Sequence, residues 1–152
     1  MKHSTYFPDC FYRVTVKGLC VRDGKVLLVR ESEKTLSGKW EMPGGGLDFG
    51  EDIKAGLKRE IQEEMGLTVT KISEKPVYVW THRYESNRRK VGWYYSLALT
   101  FRVEFENLDF TPSEECIELA FFSKEDLNNL PLSGQANELS EIFNPEDFEG
   151  SF

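Results

Sequence analysis

GGLDFGEDIKAGLKREIQEEMGL, residues 45–67, is the stretch on which the reading of the fold turns. Ile53, Leu57 and Ile61 recur at helical spacing, and Gly66 stands where a left-handed C-cap is expected, so the pattern predicts a helix over residues 52–65. With Glu60 set at zero on the helical wheel, Glu63 falls at about −60° and Glu64 at about +40°. Three carboxylates thus share one sector. The apolar stripe of Ile53, Leu57 and Ile61 overlaps the edge of that sector, which puts Glu64 on the boundary. Each like-charge pair, Glu60 with Glu63 and Glu60 with Glu64, costs an isolated helix roughly 0.2–0.5 kcal/mol. Partial desolvation adds to that cost. Lys54 and Lys58 lie on the other side of the helix, and only the adjacent Arg59 compensates in part. Clustered carboxylate oxygens are what a hard cation such as Mg²⁺ takes as ligands.

On the N-terminal side of the helix, residues 12–21 read as a strand, Asp23-Gly24 as a hairpin turn and residues 25–30 as the return strand. Val26, Leu27, Leu28 and Val29 are continuously apolar, as in a strand buried on both faces. On the C-terminal side, residues 69–84 read as extended, with an interruption near Pro76, which cannot donate to a sheet ladder. A polar loop spans residues 85–90. Beyond it Val91, Trp93, Tyr95, Leu97, Leu99, Phe101, Val103 and Phe105 alternate with mostly polar or small residues, the mark of a long strand. Residues 117–122 read as a short strand. Ser123 is suited to cap a short helix through Asn129, and a last helix is expected over residues 135–143. Strands, helix, strands and helix in this order predict a mixed sheet with helices packed against it.

The 152 residues suit one compact domain spanning 1–152, and 39% hydrophobic residues suffice for a core. No run of about 18 apolar residues suggests a membrane span. The N-terminus lacks the apolar core of a signal peptide, and Cys10, Cys20 and Cys116 form no paired spacing. The expectation is a cytoplasmic protein. A net charge of −7 argues against binding a nucleic acid polymer, which requires phosphate neutralisation. It leaves open phosphate chemistry in which divalent cations reverse the sign locally.

The quoted stretch resembles the Nudix box, G-x5-E-x7-R-E-U-x-E-E-x-G-U with U apolar. Gly45, Glu51, Arg59, Glu60, Ile61, Glu63, Glu64, Gly66 and Leu67 fill every specified position, and Trp40-Glu41-Met42-Pro43-Gly44 looks like the usual approach to the box. The resemblance implies an α/β/α sandwich with a mixed sheet and a loop–helix–loop catalytic motif. It implies a Mg²⁺-dependent hydrolase, with Mn²⁺ able to substitute, that cleaves a nucleoside diphosphate linked to a group X into a nucleoside monophosphate and phospho-X. By the same resemblance, Gly44 (through its carbonyl), Glu60, Glu63 and Glu64 are the metal ligands, and Arg59 orients Glu51. Glu51 also complements the helix dipole in the first turn. Either Glu60 or Glu115, from the acidic stretch 114–118, is the general base, with Glu118 second to Glu115.

For substrate contacts the expected residues are Lys39, Arg83 and Tyr94. Tyr94 lies off the apolar register of its strand and is placed to stack a base. Trp80, Tyr84, Trp93 and Tyr95 read as strand core. Arg83 introduces a basic stretch with Arg88, Arg89 and Lys90 that is either a contact for terminal phosphates or, more commonly for such a stretch, a charged loop tip, and His82 reads as a structural histidine. A small nucleotide-like diphosphate is the expected partner, and a homodimer through the long alternating strand is a further expectation. The competing class is a non-catalytic binding module on the same scaffold, for which a degraded box is the usual sign; this box is intact.

Overall fold

The computed structural model describes residues 11–33, 38–85 and 93–152. Cys10, Arg88, Arg89, Lys90 and Val91 lie outside the described residues. Strand β1 (Tyr12–Leu19) ends two residues earlier than expected; it breaks at Cys20, and a two-residue β2 (Val21–Arg22) leads into the turn. Asp23 and Gly24 both have positive φ, 52° and 75°, the geometry of a tight primed hairpin turn, and β3 (Lys25–Glu31) returns antiparallel. Two short strands, β4 (Trp40–Glu41) and β5 (Gly44–Gly46), precede helix α1 (Ile53–Met65). Strands β6 (Val69–Ile72) and β7 (Tyr78–Glu85) flank the interruption at Pro76. The long strand β8 (Trp93–Phe105), then β9 (Cys116–Phe122), α2 (Lys124–Leu127), α3 (Asn137–Ile142) and a 3₁₀ turn (Pro145–Phe148) complete the order.

Two sheets result. One is mixed, with β8 at its centre: β1 runs parallel to β8 on one side and antiparallel to β5, while β7 and β6 pair antiparallel with the other side of β8. The second sheet joins β2, β3 and β4, with β9 on β3. Because β8 is hydrogen-bonded along both sides, a homodimer built on it has only a strand face to use, not an edge.

The helices lie on opposite sides, and each seals its own core. Leu57, Ile61 and Met65 of α1 pack on Val16, Leu27, Val29, Phe101 and Val103. Leu127, Leu139 and Phe143 pack on Leu19, Val26, Leu28, Trp40 and Met42. The four apolar residues of β3 therefore divide alternately between two cores, which is why no polar position interrupts them. Full burial of each such side chain contributes about 1.5–3 kcal/mol.

The structure corrects the reading of β8. Its apolar register is buried at Phe101, Val103 and Phe105, yet Ser96 and Thr100, from the other register, are at 0% exposure while Leu97 and Leu99 are half-buried. Both faces of a central strand are covered, so alternation does not separate inside from outside. Helix α3 is also shorter than expected. Gln135 precedes it and turns its side chain into the sheet, donating through Nε2 to Thr15 Oγ1 (2.7 Å) and Ser96 Oγ (3.0 Å). Among the described residues no helix is long and apolar enough to cross a membrane.

Candidate active site

Helix α1 is held at both ends. Asp52 Oδ2 accepts from the Ala55 N–H at 3.0 Å, and Gly66, at φ 67°, closes the last turn through its N–H to Gln62 O. Gly56, buried on the helix, lets the preceding loop lie close: a side chain there would meet Leu47 Cδ1 at 2.6 Å and Glu51 Oε1 at 2.7 Å.

This closeness brings Glu51 to Arg59. Arg59 Nε donates to Glu51 Oε2 at 2.6 Å and Nη2 to Glu51 Oε1 at 2.8 Å, a two-pronged contact. The Asp48 N–H donates to the same carboxylate at 3.1 Å. Hydrogen bonding from Arg59, then from the Asp48 backbone, holds Glu51 down at about 2. The expected link between Arg59 and Glu51 is present. Glu51, however, precedes the N-cap and lies outside the first turn, which holds no acid, so its partner is Arg59 and not the helix dipole.

Arg59 does more than the partial relief expected of it. Its Nη1 also donates to Glu60 Oε1 at 2.9 Å and Glu63 Oε2 at 3.1 Å. The like charges of the helix are thus stitched together by one guanidinium. Glu63 is the outermost, its side chain 61% exposed, whereas that of Glu60 is 15% exposed and lies against Gly45, where any side chain would overlap its carboxylate. Glu64 turns toward a cavity. Burial pushes its carboxyl up to about 8; Lys17 opposes the rise, and Glu60, Glu31 and Glu115 add to it. Among the described residues no three His, Cys, Asp or Glu side chains converge closely enough to form a ready-made metal cage. The expected compact knot of three carboxylates is therefore opened, with Glu60 and Glu63 drawn to Arg59 and Glu64 turned inward.

The cavity, of about 230 Å³, is floored by the three glycines of β5 and by Thr15 and Lys17 of β1. Glu31, Glu41 and Glu64 give the cavity an acidic lining, and Arg13, Tyr84, Tyr94, Ser96 and Gln135 complete it. Lys17 is buried and donates through Nζ to Met42 O and Gly44 O, both at 3.2 Å, with Glu41 Oε1 at 3.8 Å. Glu41 in turn takes the Met42 N–H at 2.8 Å and the Ser133 hydroxyl. The sequence reading missed Lys17, Glu41 and Gln135. A lysine inside the apolar run of β1 was the one available signal.

Of the expected site residues, Gly44, Glu64 and Tyr94 line the cavity, with Glu60 behind Gly45. Glu115 is exposed and reaches Glu64 only through its charge. Lys39 is exposed and absent from the cavity lining; its carbonyl accepts from the Glu31 N–H. Arg83 alternates with Tyr84 and so faces away, its guanidinium over the Trp93 ring at 5.0 Å and beside Glu85 at 3.5 Å. Tyr94 is correctly placed but differently employed. Phe11 (6.1 Å, 22°) and Tyr84 (5.4 Å, 20°) stack on it, so its ring is already engaged by neighbours and a base meets it otherwise than in a sandwich. His82 packs edge-on against Tyr84 at 4.7 Å and against Gly134, as a structural histidine does.

The donors suit a hard divalent cation: the Gly44 carbonyl, the Glu64 carboxylate and, behind Gly45, that of Glu60 are all oxygen, and Lys17 offsets only part of the cost of burying Glu64.

A model of the NUDIX domain family matches residues 11–143. The chain is 32% identical over 127 residues to the nucleoside triphosphatase NudI of Escherichia coli O17:K52:H18, covering 80% of this chain and 89% of that protein. It is 30% identical over 118 residues to an ADP-ribose pyrophosphatase of Methanocaldococcus jannaschii, covering 78% of this chain and 64% of that one. It spans only 29% of a longer Nudix relative from Caenorhabditis elegans. Among solved structures, a MutT protein of Methanosarcina mazei Go1 superposes with a TM-score of 0.70 at 27% identity, over 91% of this chain and 96% of that one.

Proposed function

This chain belongs to the Nudix hydrolase family, and we propose accordingly that it hydrolyses a phosphoanhydride bond in a nucleoside diphosphate linked to a further group X, with Mg²⁺ or Mn²⁺ as cofactor. The observation that carries the reading is the placement of α1, which sets the Glu60 carboxylate against Gly45 and turns Glu64 into the cavity beside Gly44. Gly44 O, Glu60 and Glu64 would hold the cation, with Glu63 at its solvent side. When bound, the metal supplies charge neutralisation of the diphosphate and a lowered pKa for the attacking water.

The chain's own residues do the rest. Arg59 and Glu51 are positioning residues: their paired contact fixes the loop against the helix and sets where Glu60 lies. Lys17 adds a fixed positive charge at the same end of the cavity. Glu60 and exposed Glu115 are the two candidates for the general base, and Glu60→Gln and Glu115→Gln tell them apart. The products are a nucleoside monophosphate and phospho-X. The cytoplasm is the compartment this reading implies.

The test is a panel of nucleoside triphosphates, nucleoside diphosphate sugars and dinucleotides, with Mg²⁺ or Mn²⁺ and with EDTA. Turnover that EDTA abolishes, and that Glu64→Gln lowers by about 100-fold or more, is the expected result. No turnover across the panel, or nucleotide binding without hydrolysis, would replace the enzyme with a binding module.

A further inference from the structure

Strand β1 presents alternate residues to the cavity, so Arg13, Thr15 and Lys17 stand in a row along one face. Lys17 is fully engaged. Arg13 is not. Among the described residues, Arg22 pairs with Glu104, Arg30 with Glu118, Arg59 with Glu51, and Arg83 with Glu85, while Arg102 donates to Gly150 O. Of these described arginines, Arg13, which is exposed, is the only one whose side chain has no hydrogen bond, ion pair or ring contact, in a chain with 26 acidic and 19 basic residues. It is nevertheless seated. Its guanidinium lies over Gly46 so closely that any side chain there would overlap it. Gly46 pairs with Thr15, the next residue of the row, and Arg13 itself pairs with Ser96, which also lines the cavity.

We propose that Arg13 is a specificity residue that grips an anionic group on X, so that the preferred substrates are nucleoside triphosphates rather than nucleoside diphosphate sugars. The inference rests on the diphosphatase reading and deepens it. Gly44, at the metal end, and Gly46, under Arg13, are two residues of extended strand apart, roughly 7 Å. A chain of phosphoryl groups leaving the metal end therefore comes within reach of the guanidinium. The two substrate classes share the scissile diphosphate and differ in the group attached beyond it: a charged phosphate in one, neutral hydroxyls in the other. An extra phosphate entering a cavity that already holds Glu31, Glu41 and Glu64 needs a cation to meet it. A guanidinium offers a two-pronged, charge-assisted contact to phosphate oxygens and gains far less from a neutral sugar. The aromatic wall does not supply this discrimination, because Tyr84 and Tyr94 stack on each other.

The experiment compares kcat and KM of wild type, Arg13→Gln and Arg13→Lys on deoxynucleoside triphosphates and on nucleoside diphosphate sugars, after thermal melts confirm that the variants fold. The expected result is a wild-type preference for triphosphates that falls by roughly tenfold or more in Arg13→Gln, through KM, and is partly restored in Arg13→Lys. A wild-type preference for diphosphate sugars, or a loss in Arg13→Gln that is equal for both classes, overturns the assignment and leaves the diphosphatase reading intact. Should wild type cleave neither class, that reading fails first, and calorimetric titration with inorganic tripolyphosphate and pyrophosphate decides the role of Arg13. Selective weakening of tripolyphosphate in Arg13→Gln supports the role, and unchanged binding overturns it.

Discussion

Glu64 is a carboxylate whose ionisation the fold strongly disturbs. Burial, with Lys17 opposing and Glu60, Glu31 and Glu115 assisting, lifts its carboxyl to about 8. In the metal-free protein the folded state therefore keeps a proton that the unfolded chain releases near the usual carboxylate value of roughly 4.3. Proton linkage gives the sign. The stability tied to that proton is complete below the unfolded value and is lost as pH rises through the folded one. Metal-free protein should thus weaken from about pH 5 to pH 8. Glu64→Gln, which mimics the protonated form, should remove that slope. We expect the variant to match wild type near about pH 5 and to exceed it near pH 8 by on the order of 1–3 kcal/mol. Urea melts in EDTA at the two pH values measure it, and parallel pH profiles for both proteins would show that Glu64 titrates normally.

At the scale of the element, α1 and the loop before it are coupled through Gly56. Replacing a mid-helix glycine by alanine ordinarily gains about 1 kcal/mol. Here the added methyl meets Leu47 Cδ1 and Glu51 Oε1, and overpacking costs about 1–3 kcal/mol. The overlap wins, so Gly56→Ala should destabilise slightly and shift Glu51 from Arg59, lowering kcat by roughly tenfold or more. Gly66→Ala is the control: its φ of 67° makes alanine cost about 1 kcal/mol, but nothing lies within 4 Å of the added methyl, so stability should fall with kcat retained. Equal loss of kcat in both variants would mean that helix stability, not loop placement, governs activity. The two glycines also mark how far the sequence could be read. Helix α1, its C-cap Gly66 and the Asp23-Gly24 turn are set by neighbours within a few positions, and they were legible; Asp52, read as the first helical residue, is the N-cap. The cavity wall was not. Thr15 reaches Ser96 across 81 positions and Gln135 across 120, contacts that exist only once β1 and β8 pair in parallel. Alternation in β8 misled for the same reason, since what covers a strand is decided by distant chain.

At the scale of the molecule, helical layers pack on opposite sides of the two sheets, and in a chain of net charge −7 the cavity carries Glu31, Glu41 and Glu64 on its lining. A cation that binds only the folded state stabilises it by mass action, by about 1.4 kcal/mol at tenfold over its dissociation constant. For a domain of this length that is roughly 2–5 °C in Tm. Millimolar Mg²⁺ or Mn²⁺ should therefore raise Tm relative to NaCl at matched ionic strength, since simple screening acts equally in both. The rise should be larger near pH 8 than near about pH 6, because a cation displaces the proton on Glu64 and metal binding is favoured where fewer protons compete. In Glu60→Gln/Glu64→Gln the rise should disappear while Tm in EDTA stays at or above that of wild type near pH 8. Differential scanning calorimetry at the two pH values reads all of this. An equal rise in wild type and double variant, or none in either, would mean that Arg59 and Lys17 are the only cations these carboxylates serve.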